Sequence, residues 1–265
     1  MVEFQRKDFY SYEDFLEIMR LLRAPGGCPW DREQTHSSIR RNFLEETYEV
    51  LDAIDHDDAS GMCEELGDVL MQVAFHAQIE AERGRFTMAN VVDGVARKLV
   101  YRHPHVFGDV QADTSQQVLA NWDVLKRREK GQRSTADAVE AVPHTLPALW
   151  RAEKIQSKTA KAGFDWTSSL QALDKLEEEV RELRAALEAG QAADAPHGIR
   201  EELGDALFIL CKIAQMSGVD PEDALHRACD KYQGRFRRVA DAADRPLNAY
   251  TEAEKIALWE QAKEN

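Results

Sequence analysis

Two carboxylate pairs stand close together in the chain, Glu46 with Glu49 and Glu65 with Asp68. Each pair is spaced i,i+3, which on a helix puts both side chains on one face. Around them, residues 43 to 73 read as two helix-period segments. Phe43, Leu44, Thr47, Val50, Leu51 and Ile54 recur at helical spacing in the first, and Leu66, Val69, Leu70 and Val73 in the second. The polar run Asp55–Asp58 joins them, and so short a connection makes the helices antiparallel neighbours whose acid pairs face each other. Carboxylates ~4 Å apart repel by roughly 4 kcal/mol per contact at an effective dielectric of ~20, so inward-facing acids need cations. Oxygen-only donors, without imidazole or thiolate, suit a hard ion, Mg²⁺ or Mn²⁺, rather than zinc. The competing explanation is a pair of charge-rich helices with solvated faces.

The second half of the chain weighs against that explanation. Glu179 and Glu182 repeat the first pair, and Glu202 and Asp205 repeat the second within the same EELGD string. Lys98 and Arg102, spaced i,i+4 at a helix end, reappear as Lys231 and Arg235; Trp122 and Lys126 reappear as Trp259 and Lys263. Surface charge that drifts freely has no reason to keep four motifs in one order, so this is an internal repeat. Cationic groups beside an acid cluster suit phosphate oxygens lying between metal and protein.

The elements that must position these groups are all helical. Ser11 caps a short amphipathic helix bearing Phe15, Leu16, Met19 and Leu22. A breaker-rich loop from Ala24 to Asp31 follows, with Trp30 either plugging a core or offering a platform for a flat ring, the plug being the commoner use. Thr87 caps a helix that Pro104 breaks, and another begins near Thr114 and Ser115. In the second half, residues 146–161 form a helix, Thr167 or Ser168 caps a long one, Asp220–Pro221 starts another, and Thr251 caps the last. The expected organisation is all-α: a tandem repeat of four-helix-type bundles, residues 1–130 and 146–265, with a polar linker at 131–145. Glu33 and His36 form an ExxH, but a di-iron bundle needs two such motifs on core helices and no second copy exists. His103 and His105 flank a proline rather than sitting in an HExxH frame, which argues against zinc.

Charge narrows the partners. With 48 acidic against 34 basic residues the net charge is −14, which disfavours nucleic acid or an anionic membrane and fits a collector of divalent cations. No apolar run approaches membrane-spanning length, and the first residues do not read as a signal peptide. The four cysteines, Cys28, Cys63, Cys211 and Cys229, form no CxxC and read as reduced thiols of a cytoplasmic protein.

These motifs also resemble a known family. EExxE at Glu45, Glu46 and Glu49, followed by ExxD at Glu65 and Asp68, resembles the MazG nucleoside triphosphate pyrophosphohydrolases; Glu178, Glu179, Glu182, Glu202 and Asp205 form a second copy. The strings GGCPWDREQTH, YRHPHVFGD and GFDW resemble the tandem two-domain bacterial members, and the likeness covers nearly the whole chain. It implies an all-α fold related to the all-α NTP pyrophosphatases, a homodimer, Mg²⁺ dependence, and cleavage of nucleoside triphosphates to monophosphate and pyrophosphate in nucleotide-pool house-cleaning. By the same resemblance Glu46, Glu49, Glu65, Asp68, Glu179, Glu182, Glu202 and Asp205 are metal ligands, and Glu45 and Glu178 orient water. Lys231 and Arg235 hold phosphates, Trp259 stacks on the base and Lys263 lies nearby, with Lys98, Arg102, Trp122 and Lys126 as their first-half counterparts. The second half is expected to carry most turnover. The alternative is a non-catalytic, metal-dependent nucleotide sensor or scaffold. No motif encodes base preference.

Overall fold

The computed structural model describes all residues except Met1, Lys130, Gln132, Arg133, Gln191, Asp194, Glu264 and Asn265, and the side chains of Ala120, Asp123 and Arg127. All regular structure among the described residues is helical, in two compact units, Met1–Lys126 and Arg127–Asn265. The first contains α1 (Tyr12–Arg23), α2 (Pro29–Glu33), α3 (Arg40–Asp55), α4 (Ala59–Glu82), α5 (Met88–Arg102) and α6 (Pro104–Phe107), with α7 (Ser115–Glu129) running past its end. The second contains α8 (Thr135–Glu140), α9 (Ala148–Ala160), α10 (Ser169–Glu188), α11 (Ile199–Met216), α12 (Pro221–Ala242) and α13 (Glu252–Gln261).

In the first unit the antiparallel hairpin α3–α4 is the dominant pairing, and α1 packs along α4. The turn between α3 and α4 closes because Asp57 takes a left-handed backbone, φ 52°, and Asp58 caps α4 by accepting from Ser60 N and Gly61 N. Met19, Ile39, Ala74, Phe75 and Ile79 form the core, packed against Phe15, Leu16, Leu22 and Met71. Burying a side chain of the size of Phe75 or Ile79 contributes about 1.5–3 kcal/mol. The loop after α1 folds tightly back on it. A Cβ at Gly27 would lie 2.2 Å from Leu21 O and 2.4 Å from Leu22 O, so only glycine permits this approach.

That loop is not structureless: α2 forms within it, with Pro29 at its start, and Trp30 is 58% exposed rather than a core plug. Arg23 ties loop to helix. Its guanidinium sits over the Phe75 ring, donates to the carbonyls of Asp31 and Gln34, and pairs with Glu82 at 2.8 Å. His36 joins a polar network with His76 and Glu80 rather than a metal-binding ExxH; Glu80 is held besides by Arg83 and Arg85.

The second unit repeats the hairpin as α10–α11, with α9 lying along α11 as α1 lies along α4. Ser168 caps α10, Asp220 caps α12 with Pro221 at its first turn, and Thr251 closes a capping box on α13. Here the tether of the aromatic loop comes from the opposite helix. Lys212, buried on α11 at the position matching Phe75, reaches Asp165 of the GFDW string at 2.5 Å and Gln215 at 2.6 Å. A buried ammonium is tolerated only when its donors are used in this way. The stretch expected as linker holds α8, capped by Ser134, with Ala138 and Val142 buried and α8 packed on α9. Two of that region's residues, Gln132 and Arg133, lie outside the described residues.

Candidate active site

The acid pairs face each other across each hairpin. In the first unit, carboxylate oxygens of Glu46, Glu49 and Glu65 all lie within 4.8 Å of one another; in the second, those of Glu179, Glu202 and Asp205 do. The fourth acid of each set borders its cluster: Asp68 repels Glu46 and Glu65, and Glu182 repels Glu202. Helix geometry explains the convergence, because each i,i+3 pair rides the side of its helix that turns toward the other. In the second unit Glu179 and Glu202 are buried. An open cleft of about 280 Å³ lies beside the first cluster, lined by Glu49, Asp52, Ala53, His56, Asp58, Gly61 and Glu65.

Burial and crowding shape the titration. Glu46 is pushed above the ordinary carboxyl range by loss of water and then by the charges of Asp68 and Glu49. Glu65 rises from desolvation and then from Glu49. Glu202 rises from desolvation, then Glu182 and Glu179; Asp205 from desolvation, then Glu179 and Glu201. These groups are short of positive charge, and their donor chemistry fits a hard divalent cation.

Glu45 and Glu178, the residues beside the first acid of each set, stand outside the clusters. Glu45 is exposed and paired with Arg41 at 2.8 Å. Glu178 is exposed and accepts from Lys175 at 2.9 Å, which lowers its pKa and keeps it ionised. Lys175 also contacts Glu179 at 2.7 Å, bringing a cation directly to the second cluster. The sequence reading passed over this lysine, although its place four residues before Glu179 was the signal. It also missed Gln72, one turn beyond Asp68 on α4, which is buried and favours the ionised form of Glu46.

The basic and aromatic residues are assembled by other helices. Arg102 is buried with its guanidinium 5.1 Å from the Trp122 ring centre, and Lys126 lies 4.4 Å from that same ring. Lys98 is exposed on α5. In the second unit α12 and α13 pack together and α12 meets α9 and α11. There Trp259 packs against Tyr232 with ring centres 5.1 Å apart, and Tyr232 stacks on Phe236. Lys231 is exposed, Arg235 half-buried, and Lys263 pairs with Glu260 at 2.6 Å. Tyr232 and Phe236 were also missed, though their i,i+4 spacing interleaves with Lys231 and Arg235.

The raised carboxyls give a pH-dependent expectation. They hold protons more tightly in the folded protein than in the unfolded chain, so the fold is favoured at low pH and loses that advantage as pH rises through their folded-state values. A divalent cation offsets the loss. Mg²⁺ is expected to raise the melting temperature of chelator-treated protein by ~5 °C at about pH 7.5 and by much less near pH 4. A Mg²⁺ effect that is equal at both pH values would contradict the assignment.

Comparison with known proteins agrees with this geometry. The MazG nucleotide pyrophosphohydrolase domain matches residues 34–107 and 167–240, spanning both hairpins. A nucleoside triphosphate pyrophosphohydrolase of Escherichia coli K12 is 42% identical over 252 residues, 94% of this chain and 95% of that protein. A Thermotoga maritima protein named nucleoside triphosphate pyrophosphohydrolase/pyrophosphatase MazG is 40% identical over 255 residues, 95% of each. A nucleoside triphosphate pyrophosphohydrolase of Mycobacterium tuberculosis is 44% identical over 154 residues, 57% of this chain and 45% of that protein. With its domain present twice and full-length likeness to such relatives, the chain belongs to the MazG nucleotide pyrophosphohydrolase family.

Proposed function

We propose that this chain is a Mg²⁺-dependent nucleoside triphosphate pyrophosphohydrolase that cleaves between the α- and β-phosphates, releasing monophosphate and pyrophosphate in nucleotide-pool house-cleaning. The observation that carries this reading is the acid cluster built twice on facing helices in a member of this family. Glu46, Glu49, Glu65 and Asp68 would hold Mg²⁺, or Mn²⁺, in the first half, and Glu179, Glu182, Glu202 and Asp205 in the second. When bound, such an ion supplies charge neutralisation at the phosphates and a more acidic water. Glu178, ionised and exposed, is suited to orient that water, and Glu45 holds the same place in the first half. Lys231 and Arg235 bind triphosphate oxygens. Trp259, already packed against Tyr232, offers a flat surface to the base, with Lys263 nearby. No helix among the described residues is long and apolar enough to cross a membrane, and the four free cysteines suit a cytoplasmic enzyme.

The halves are unequal in this reading, the second carrying most turnover. Arg102 is buried against Trp122, which engages its charge within the protein, whereas Arg235 is only half-buried. Asp205→Asn is therefore expected to lose on the order of a hundredfold in activity and Asp68→Asn little. Activity is followed by identifying products with each nucleotide before and after EDTA. Diphosphate plus phosphate, or turnover that survives chelation, would refute the reaction; an equal or larger loss in Asp68→Asn would refute the division of labour.

The active form in this proposal is a homodimer. Leu44, Ile54, Leu66 and Leu70 are exposed along the first hairpin, and Val180, Leu187, Leu203, Leu207 and Leu210 along the second. The accessible surface is 18,895 Å², whereas two separate well-packed globules of half this mass would expose roughly 14,000 Å² in total. The exposed apolar residues along the two hairpins are best covered by a second copy. Light scattering at micromolar concentration is expected to give twice the chain mass; a monomer would contradict it.

A further inference from the structure

The two acid sites share a ligand pattern but differ at two neighbouring positions. Four residues before the first acid of each set, Glu46 or Glu179, stands Asn42 in the first half and Lys175 in the second. Seven residues after Glu65 stands Gln72, and seven after Glu202 stands Ile209. Lys175 Nζ lies 2.7 Å from Glu179 Oε1 and 2.9 Å from Glu178 Oε1, with its side chain still 38% exposed. Gln72 is 5% exposed, favours the ionised form of Glu46, and leaves its own Oε1 buried without a hydrogen-bond partner. The second site therefore carries its own monovalent cation on a flexible stem. The first has no lysine at that place and adds a buried neutral oxygen of the kind that hard cations accept.

An ammonium and a divalent ion cannot share Glu179 without strong mutual repulsion. Lys175 must leave that carboxylate when an ion arrives, and its four-carbon stem permits it to move. The natural destination is another anion. We propose that Lys175 is a stand-in cation that makes the second site take its divalent ion together with nucleotide, the lysine passing from Glu179 to the triphosphate oxygens. The first site, with Asn42 and Gln72 in place of Lys175 and Ile209, takes its ion without nucleotide. This inference rests on the metal-dependent reading of the acid clusters, and it deepens that reading by assigning an order of binding.

The test is Mn²⁺ binding followed by electron paramagnetic resonance, without nucleotide and with a non-hydrolysable α,β-methylene triphosphate. Wild type is expected to show one class of nucleotide-independent Mn²⁺, lost in Asp68→Asn and kept in Asp205→Asn. The analogue should add a second class, lost in Asp205→Asn. Lys175→Asn should let the second class fill without nucleotide, with affinity at least about tenfold tighter than wild type, while weakening the analogue. Lys175→Arg, which keeps the charge, should retain the wild-type order, and Asn42→Lys should weaken the first class. Circular dichroism of each variant distinguishes misfolding from altered binding. Equal filling of both sites in nucleotide-free wild type, or no tightening in folded Lys175→Asn, overturns the proposal. A wild-type protein that forms no pyrophosphate would instead overturn the assigned reaction while leaving these titrations readable.

Discussion

Repulsion among carboxylates held face to face is the constraint on which the site depends. Each hairpin drives its acids together because its apolar residues must pack, and the i,i+3 spacing puts each pair on one face of its helix. Glu46, Glu65, Glu202 and Asp205 all sit above the ordinary carboxyl range as a result, with desolvation the first cause in each. A fold retains such a cost at functional sites, where the missing charge is supplied by what binds. Hydrophobic packing of the hairpins thus creates the demand for cations.

The rest of each unit holds the hairpin in place. In the first, Arg23 on α1 fastens the aromatic loop while resting on Phe75 of α4; in the second, Lys212 on α11 fastens it directly through Asp165. The same mechanical task is done by a cation from opposite helices, so the repeats preserve the tether while exchanging its source. The cores differ in a related way. The first uses Met19, Phe75 and Ile79, whereas the second buries small residues such as Ala172, Ala186, Ala206 and Ala262, together with Lys212.

Much of this was legible in residue order. The helical period around Glu46 and Glu65, the turn at Asp55–Asp58 and the caps at Ser11, Ser168, Asp220 and Thr251 locate the helices, because each rests on local physics. Duplication of the acid pairs made the clusters readable as a site. What escaped depends on tertiary partners. Lys175 looked like one more charge on an acidic helix, and Gln72 like a polar residue on an apolar face; only burial and distance give them a role. Of the two uses open to Trp30, the commoner one, a core plug, is not the one found: it lies exposed on α2, outside the core that Met19 and Phe75 fill. The expected linker hid α8, whose six residues are too few for a clear helical period.

The central claim is that the clustered carboxylates destabilise the metal-free fold and that a divalent cation relieves this. Its most direct measurement is thermal melting of Glu46→Gln and Glu202→Gln in chelator at neutral pH, then with Mg²⁺. Each change removes one carboxylate charge, half-buried at Glu46 and buried at Glu202, with almost no change in shape. The account predicts that both variants melt above the metal-free wild type and gain less from Mg²⁺ than wild type does. Variants that melt lower without metal, with the full Mg²⁺ gain retained, would contradict it.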